Sequence, residues 1–255
     1  VSALAAVLFS GAVSTAPGFA VAAPLSTVQL EQLTWTEVRD ALHAGKTTII
    51  VPAGGVEQSG PYIALGKHDR RVGILSERIA RALGNALVAP VIAYVPEGSI
   101  APPTEHMRYP GTISVPPDVF ERTLESAAES FRAHGFRDVV FLGDHGGYQS
   151  NLRAVAERLD RRWAATPARA HFIPEYYRAG GGHADRDDTS LTLATDPALV
   201  RLRDLRSAPR PGSADGVYGD DPRAASAERG RALADAQVAA AVAAIRRVTG
   251  KRGRR

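Results

Sequence analysis

The sequence predicts an α/β fold of three layers, a mostly parallel β-sheet flanked by helices. Two short uninterrupted apolar runs, "TTIIVP" and "VVFL", have the make-up of strands buried on both faces. Stretches with apolar residues at helical spacing alternate with them, as βα units require. Both runs lead into glycines and ionisable side chains, which is where open parallel sheets hold their sites.

The elements follow in order. "LTWTEVRDALHAG" reads as a short helix: Thr34 and Glu37 fit a capping box, Val38, Ala41 and Leu42 form an apolar face, and Gly45 ends it. After the first strand, residues 71–83 repeat apolar side chains at helical spacing. "LVAPVIAYVP" is strand-like, with Pro90 making its first part an edge or a bend. Residues 117–134 form a helix with Phe120, Leu124, Ala127, Ala128 and Phe131 on one stripe, closed by Gly135. The second strand, Val139 to Leu142, comes next, then a glycine-rich turn, a helix over 149–164, and "ARAHFIP" as a further strand. Residues 206–225, rich in Pro, Gly and Asp, read as a surface loop before a long alanine-rich helix. The expected organisation is one domain over residues 23–249.

The 255 residues include no cysteine, which excludes disulfides, thiolate metal sites and cysteine nucleophiles. Any metal must therefore be held by His, Asp or Glu. The net charge of +4 points at first to nucleic acid, but the basic tail at 250–255 alone holds Lys251, Arg252, Arg254 and Arg255. Without those four, 27 basic residues face 27 acidic ones, and no aromatic-interleaved basic stretch supports a nucleic-acid partner. Residues 1–22 carry no charge and end in Ala20-Val21-Ala22, resembling a secretory signal peptide that lacks a basic n-region. Gly11, Ser14, Thr15 and Pro17 interrupt the run too early for a membrane span. The expectation is export to the periplasm or medium, with no stable membrane anchor after processing.

Three segments share one design, placing His or carboxylate side chains beside glycines. "GGVEQSGPYIALGKHD" offers Glu57, His68 and Asp69; "GDHGGY" offers Asp144, His145 and Tyr148; "GGGHADRDDTS" offers His183, Asp185, Asp187 and Asp188. In a parallel sheet the strand exits lie on one edge, so such residues converge. A carboxylate with two or three imidazoles is a ligand set for zinc, manganese or iron(II). Singly each signal is weak. His43, His106, His134 and His171 read on their own as structural histidines, and the acids from Asp185 to Asp188 also suit a helix start.

Together the segments resemble the creatininase (creatinine amidohydrolase) family. "VPAGGVEQSGPYIALGKHD" is similar to its signature V-P-x-G-x-x-E-Q-H-G-P-H-L-P-L-x-T-D, "GDHGGYQSN" to its G-N-H-G-G-N turn, "HADRDDTSLTL" to H-A-G-E-x-E-T-S-x-x-L, and "GVYGDDPRAASAERG" to its G-V-x-G-D-P ending. The resemblance implies a metal-dependent amidohydrolase, commonly hexameric, acting on a C–N bond of a small cyclic amide or related amide. Two alternatives stand beside it: a non-catalytic small-molecule or metal-binding protein, and a peptidase-like maturase. The implied cofactor is a divalent metal, zinc or manganese with iron as a third option, and the implied partners are a small-molecule substrate and further copies of the chain. Carried over by position, Glu57 and His145 match metal ligands, His183 a proton donor beside the substrate, and Asp188 the glutamate before Thr-Ser. The resemblance implies that Asp188 completes the metal shell, the more so because Gly147 stands where creatininase itself has an acid, and that Asp188 or Asp69 holds the proton of the attacking water as a catalytic carboxylate. Asp144, Tyr148, His106 and Tyr109 are substrate-binding candidates, the last two from "PPTEHMRYPGTIS".

Two positions depart from the pattern. Ser59 replaces a ligand histidine, and His68 falls, without gaps, on the aspartate that bridges two metals; a one-residue insertion would bring Asp69 there. An imidazole offers one lone pair to one metal, whereas a carboxylate bridges two. Glu57, His68, His145 and Asp188 are thus the expected ligands, with Asp69 as a further candidate, and one ion is favoured over two.

Overall fold

Four strands, β1 (Thr48–Ala53), β2 (Ala86–Val88), β3 (Asp138–Gly143) and β4 (Arg169–Phe172), form one parallel sheet in the order β2-β1-β3-β4. They come from a computed structural model that describes residues 25–177 and 182–250. The segment read as a signal peptide and residues 251–255 of the basic tail lie outside the described residues. Every residue of β1 and β3 is buried, and side chains such as Ile49, Ile50 and Phe141 each stabilise the fold by roughly 1.5–3 kcal/mol.

Helices α1 (Trp35–His43), α2 (Lys67–Leu83), α3 (Pro117–Ala133), α4 (Gln149–Arg162), α5 (Arg186–Thr195), α6 (Leu202–Ser207) and α7 (Ala227–Thr249) complete the described architecture. α2 packs with α5 and α7, while α3 packs with α4, so the sheet is flanked by two groups of helices. The capping box of Thr34 and Glu37 starts α1 as the sequence predicts. No helix among the described residues is long and apolar enough to cross a membrane.

Two differences from the sequence reading matter for the site. "LVAPVIAYVP" yields only the short strand β2: Pro90 has no N–H for a ladder, and the chain regains the sheet as a single bridge between Ala53 and Ile92. This detour delivers Glu97 to the exit of β1. Helix α2 begins at Lys67, four residues before the expected start, which turns Lys67, His68 and Arg71 inward as buried side chains. The loop expected over 206–225 carries the end of α6 and two 3-10 turns, Ser213–Asp215 and Pro222–Ala224.

The register pairs Ala53 with Gly143, so β1 and β3 end level. The chain leaves β1 towards β2 on one side, and β3 lies on the other. The crevice between their exits is therefore the topological switch point of the sheet, the usual place for a ligand in open α/β folds.

Candidate metal centre

The turn after β1 is built around a glycine pair. Gly55 has φ +137°, and a Cβ there would lie 2.6 Å from Oε1 of Glu97; one on Gly54 would lie 2.1 Å from Oδ1 of Asp69. Only glycine lets both carboxylates come this close to the backbone. Asp69 accepts a hydrogen bond from the Gly55 N–H at 2.8 Å, so this expected ligand instead braces the turn. Beyond β3, the Asp144 N–H donates to the Ala53 carbonyl at 3.1 Å. The Tyr148 hydroxyl accepts from the His145 N–H at 3.1 Å and donates to the Gly54 carbonyl at 2.5 Å, locking the two turns together.

Four side chains meet in the crevice: Glu57, Glu97, His106 and His145 each offer one donor atom, all within 4.8 Å of one another. Oε2 of Glu57 lies 3.2 Å from His106 Nε2 and 3.4 Å from His145 Nε2. Glu57 Oε2 and both oxygens of Glu97 are buried without a hydrogen-bond partner. Such orphaned acceptors are costly unless a cation or proton fills the space between them.

Protonation states agree with this reading. Burial, reinforced by the neighbouring Glu57, raises the Glu97 carboxyl to about 10, so it keeps its proton in the metal-free chain. Burial lowers His145 to about 4 and also lowers His106, leaving both imidazoles neutral as metal ligands must be. Burial pushes Glu57 up, but His68, Lys67 and His145 outweigh it and hold this carboxylate well below its ordinary range. Two carboxylates and two imidazoles suit zinc, manganese or iron(II).

The other face of Glu57 is occupied by the protein itself. His68 places Nε2 2.7 Å from Glu57 Oε1 and Nδ1 2.6 Å from Asp144 Oδ2, with the Arg71 guanidinium 3.0 Å from the same Nδ1, so both ring nitrogens are engaged by the protein's own side chains. Burial opposes the charge on His68, yet Glu57 and Asp144 prevail and raise its pKa. In this structure His68, expected as a ligand, braces Glu57 against Asp144. Asp188, the other expected ligand, pairs with Lys67, accepts from Arg71 at 2.7 Å and receives the Ala184 N–H at 2.9 Å. Burial opposes the charge on Asp188, but Lys67 and Arg71 overcome that cost and keep it well below the usual carboxylate range. Asp144, expected to orient substrate, has Oδ2 on His68 and Arg71 and Oδ1 on the Tyr176 hydroxyl.

A cavity of about 720 Å³ opens beside this crevice, lined by His106, His145, His183, Lys67, Tyr177 and Leu191 among others. His183 donates from Nε2 to the Gln58 carbonyl at 2.9 Å, leaving Nδ1 as an acceptor 3.6 Å from Glu57 Oε1. Burial, together with the Lys67 charge, lowers His183 to about 3. It is neutral at rest and acts as a proton donor only after first accepting one. Of the expected substrate contacts, Tyr148 is fully buried on backbone partners and Tyr109 does not line this cavity. Ser59 is buried, and its hydroxyl has no hydrogen-bond partner.

The family model described as "Creatininase: Creatinine amidohydrolase" matches residues 31–245. This chain belongs to the creatininase family. It is 32% identical over 222 residues to the mycofactocin precursor peptide peptidase of Mycobacterium tuberculosis, covering 75% of this chain and 81% of that one. It is also 28% identical over 189 residues to the 3-dehydro-scyllo-inosose hydrolase of Thermotoga maritima, covering 68% and 58%. A solved structure named "Creatininase Mn" superimposes with a TM-score of 0.69 at 22% identity, over 87% of this chain and 98% of that one.

Of the residues that the sequence puts forward as ligands, Glu57 and His145 lie in the four-residue cluster and Asp188 does not; the second carboxylate of the cluster is Glu97. A signal was present. "YVPEGS" repeats the design of an apolar run followed by an acid and a glycine, and sits where the run regains the sheet edge. Lys67 and Arg71 carry a signal of the same kind, since two cations one turn apart at the positive end of a helix need nearby acids.

Proposed function

We propose that this chain is a metal-dependent hydrolase of amide C–N bonds, with Glu57, Glu97, His106 and His145 holding a single divalent ion. The observation that carries this is the set of three unpartnered carboxylate oxygens, of Glu57 and Glu97, facing two neutral imidazoles at the sheet's switch point. An ion held there supplies Lewis-acid polarisation of a carbonyl and acidifies water.

The chain's own residues supply the rest. His183, held by Nε2 at the Gln58 carbonyl, lines the cavity and is the group that would take a proton from the attacking water and pass it to the leaving nitrogen. Lys67 and Arg71 keep Asp188 and Asp144 ionised and still, which fixes the wall beside the reacting amide. The size of the cavity favours an amide within a peptide or a molecule of similar size over a lone small cyclic amide, since pockets of this volume enclose drug-sized ligands. The peptidase relative supports the same choice.

The test is a panel of short peptides and cyclic amides, assayed on protein loaded with zinc or manganese. Turnover of peptides that is lost in Glu57→Gln and His145→Ala is the expected result. Turnover confined to cyclic amides would overturn the substrate class. A loaded protein inert to both classes would favour a binding role.

A further inference from the structure

Glu57 presents its two oxygens to two different neighbourhoods. Oε2 points into the metal cluster, whereas Oε1 faces Lys67 at 3.6 Å, His68 at 2.7 Å and His183 at 3.6 Å. A carboxylate in this position is the natural bridge between two cations, which in two-metal sites stand about 3.5–4 Å apart. The ingredients of a second cation site are present on the Oε1 side, because Asp188 and Asp144 lie there, both buried. The place is taken: the Lys67 ammonium, on a side chain only 1% exposed, contacts Asp188 and faces Glu57, while Arg71 bridges Asp144 and Asp188 at 2.7 Å to each.

We propose that Lys67 is a built-in substitute for a second metal ion, closing the Oε1 side of Glu57 and making the centre mononuclear. This rests on the proposed metal centre and adds a role for one residue of this chain. The pairing is closed by geometry: Asp188 meets Lys67 and Arg71, Asp144 meets Arg71 and His68, and Glu57 Oε1 faces Lys67 and His68. A divalent ion entering this pocket would have to displace an ammonium from a buried acid, and the exchange would leave one partner unpaired in a dry interior. The position of Lys67 in the first turn of α2 directs it inward. Its neighbour Arg71, one turn along, binds the same acid from the other oxygen. Lys67 also lines the cavity, so it is a specificity-determining residue for metal number, standing where substrate passes.

The experiment measures manganese per chain by elemental analysis after equilibrium dialysis, alongside the electron paramagnetic resonance spectrum of the bound ion. Wild type is expected to bind one Mn(II) with the six-line spectrum of an isolated ion. Lys67→Ala, which vacates both the charge and the volume, is expected to bind two, with the spectrum broadened by spin coupling. Lys67→Gln preserves side-chain length and guards against a folding defect in the alanine variant; it is expected to rise above one equivalent, while Lys67→Arg stays at one. Two coupled ions in wild type would overturn the role of Lys67 and leave the metal centre standing. One ion in wild type and in both neutral variants would overturn it equally. No bound metal in wild type would remove the proposed centre itself, and the role of Lys67 with it.

Discussion

Glu57 divides the crevice into two halves that differ in how their polar groups are satisfied. On the Oε2 side, Glu97 and Glu57 have buried oxygens with no partner and the histidines are neutral. On the Oε1 side, the contacts of Asp144 and Asp188 are all to cations, hydroxyls or backbone N–H groups. The lesson is that ionisable residues gathered at one sheet edge are not equivalent candidates for a ligand set. A saturated network holds the fold, and an unsaturated one is prepared for something to bind.

The sharpest break of this comparison is on the saturated side. Arg71→Leu leaves Asp144 and Asp188 buried with one cation fewer between them, and should cost about 3–5 kcal/mol, the usual penalty for stranding a buried charge. Urea unfolding of the metal-free protein measures it. A loss under 1 kcal/mol would mean that this network is no more structural than a surface ion pair.

Glu97→Gln separates the halves from the other direction. The unsaturated side should tolerate the change, because Glu97 already keeps a proton in the metal-free chain and the amide is of similar shape. Folding should be unharmed, whereas the thermal stabilisation by zinc or manganese should vanish, a loss of about 2.7 kcal/mol at a hundredfold excess over Kd. Scanning calorimetry with and without metal distinguishes the two effects. An undiminished metal response would place the ion away from Glu97.

This contrast also explains what was legible in the sequence. The β1 and β3 runs, the helices with regular apolar spacing and the strand-exit position of Glu57 and His145 follow from local pattern, and the structure contains them. The inward face of α2 does not, because its first turn is polar and the apolar helical spacing begins only at 71, after Lys67 and His68. Choosing among His68, Asp188 and Glu97 required knowing which lone pairs were already spent. That depends on Lys67 and Arg71 meeting Asp188 across more than a hundred residues of chain, which no local spacing encodes. His106 belongs to the same class: one histidine on a short 3-10 turn, at Glu105–Arg108, becomes a ligand candidate only once Glu57 stands beside it.

The smallest predicted effect tests whether the unsaturated half is held that way by its own proton. Glu97 sits near 10 in the folded chain against an ordinary value of 4.5, so the unfolded chain releases this proton first as pH rises. Metal-free stability is therefore greatest below about 4.5 as far as this group is concerned, and is lost as pH climbs towards 10. An ion must expel that proton, while His145, depressed to about 4, competes only in acid. Metal affinity should then climb about tenfold per pH unit across the neutral range, one proton released per ion, or about 1.4 kcal/mol per unit. Competition titrations with a chromogenic chelator, corrected for the chelator's own protonation, give the slope directly. A slope near zero between pH 6 and pH 8 would show that Glu97 is already ionised; the orphaned oxygens would then have to be satisfied by something other than a proton before the ion arrives.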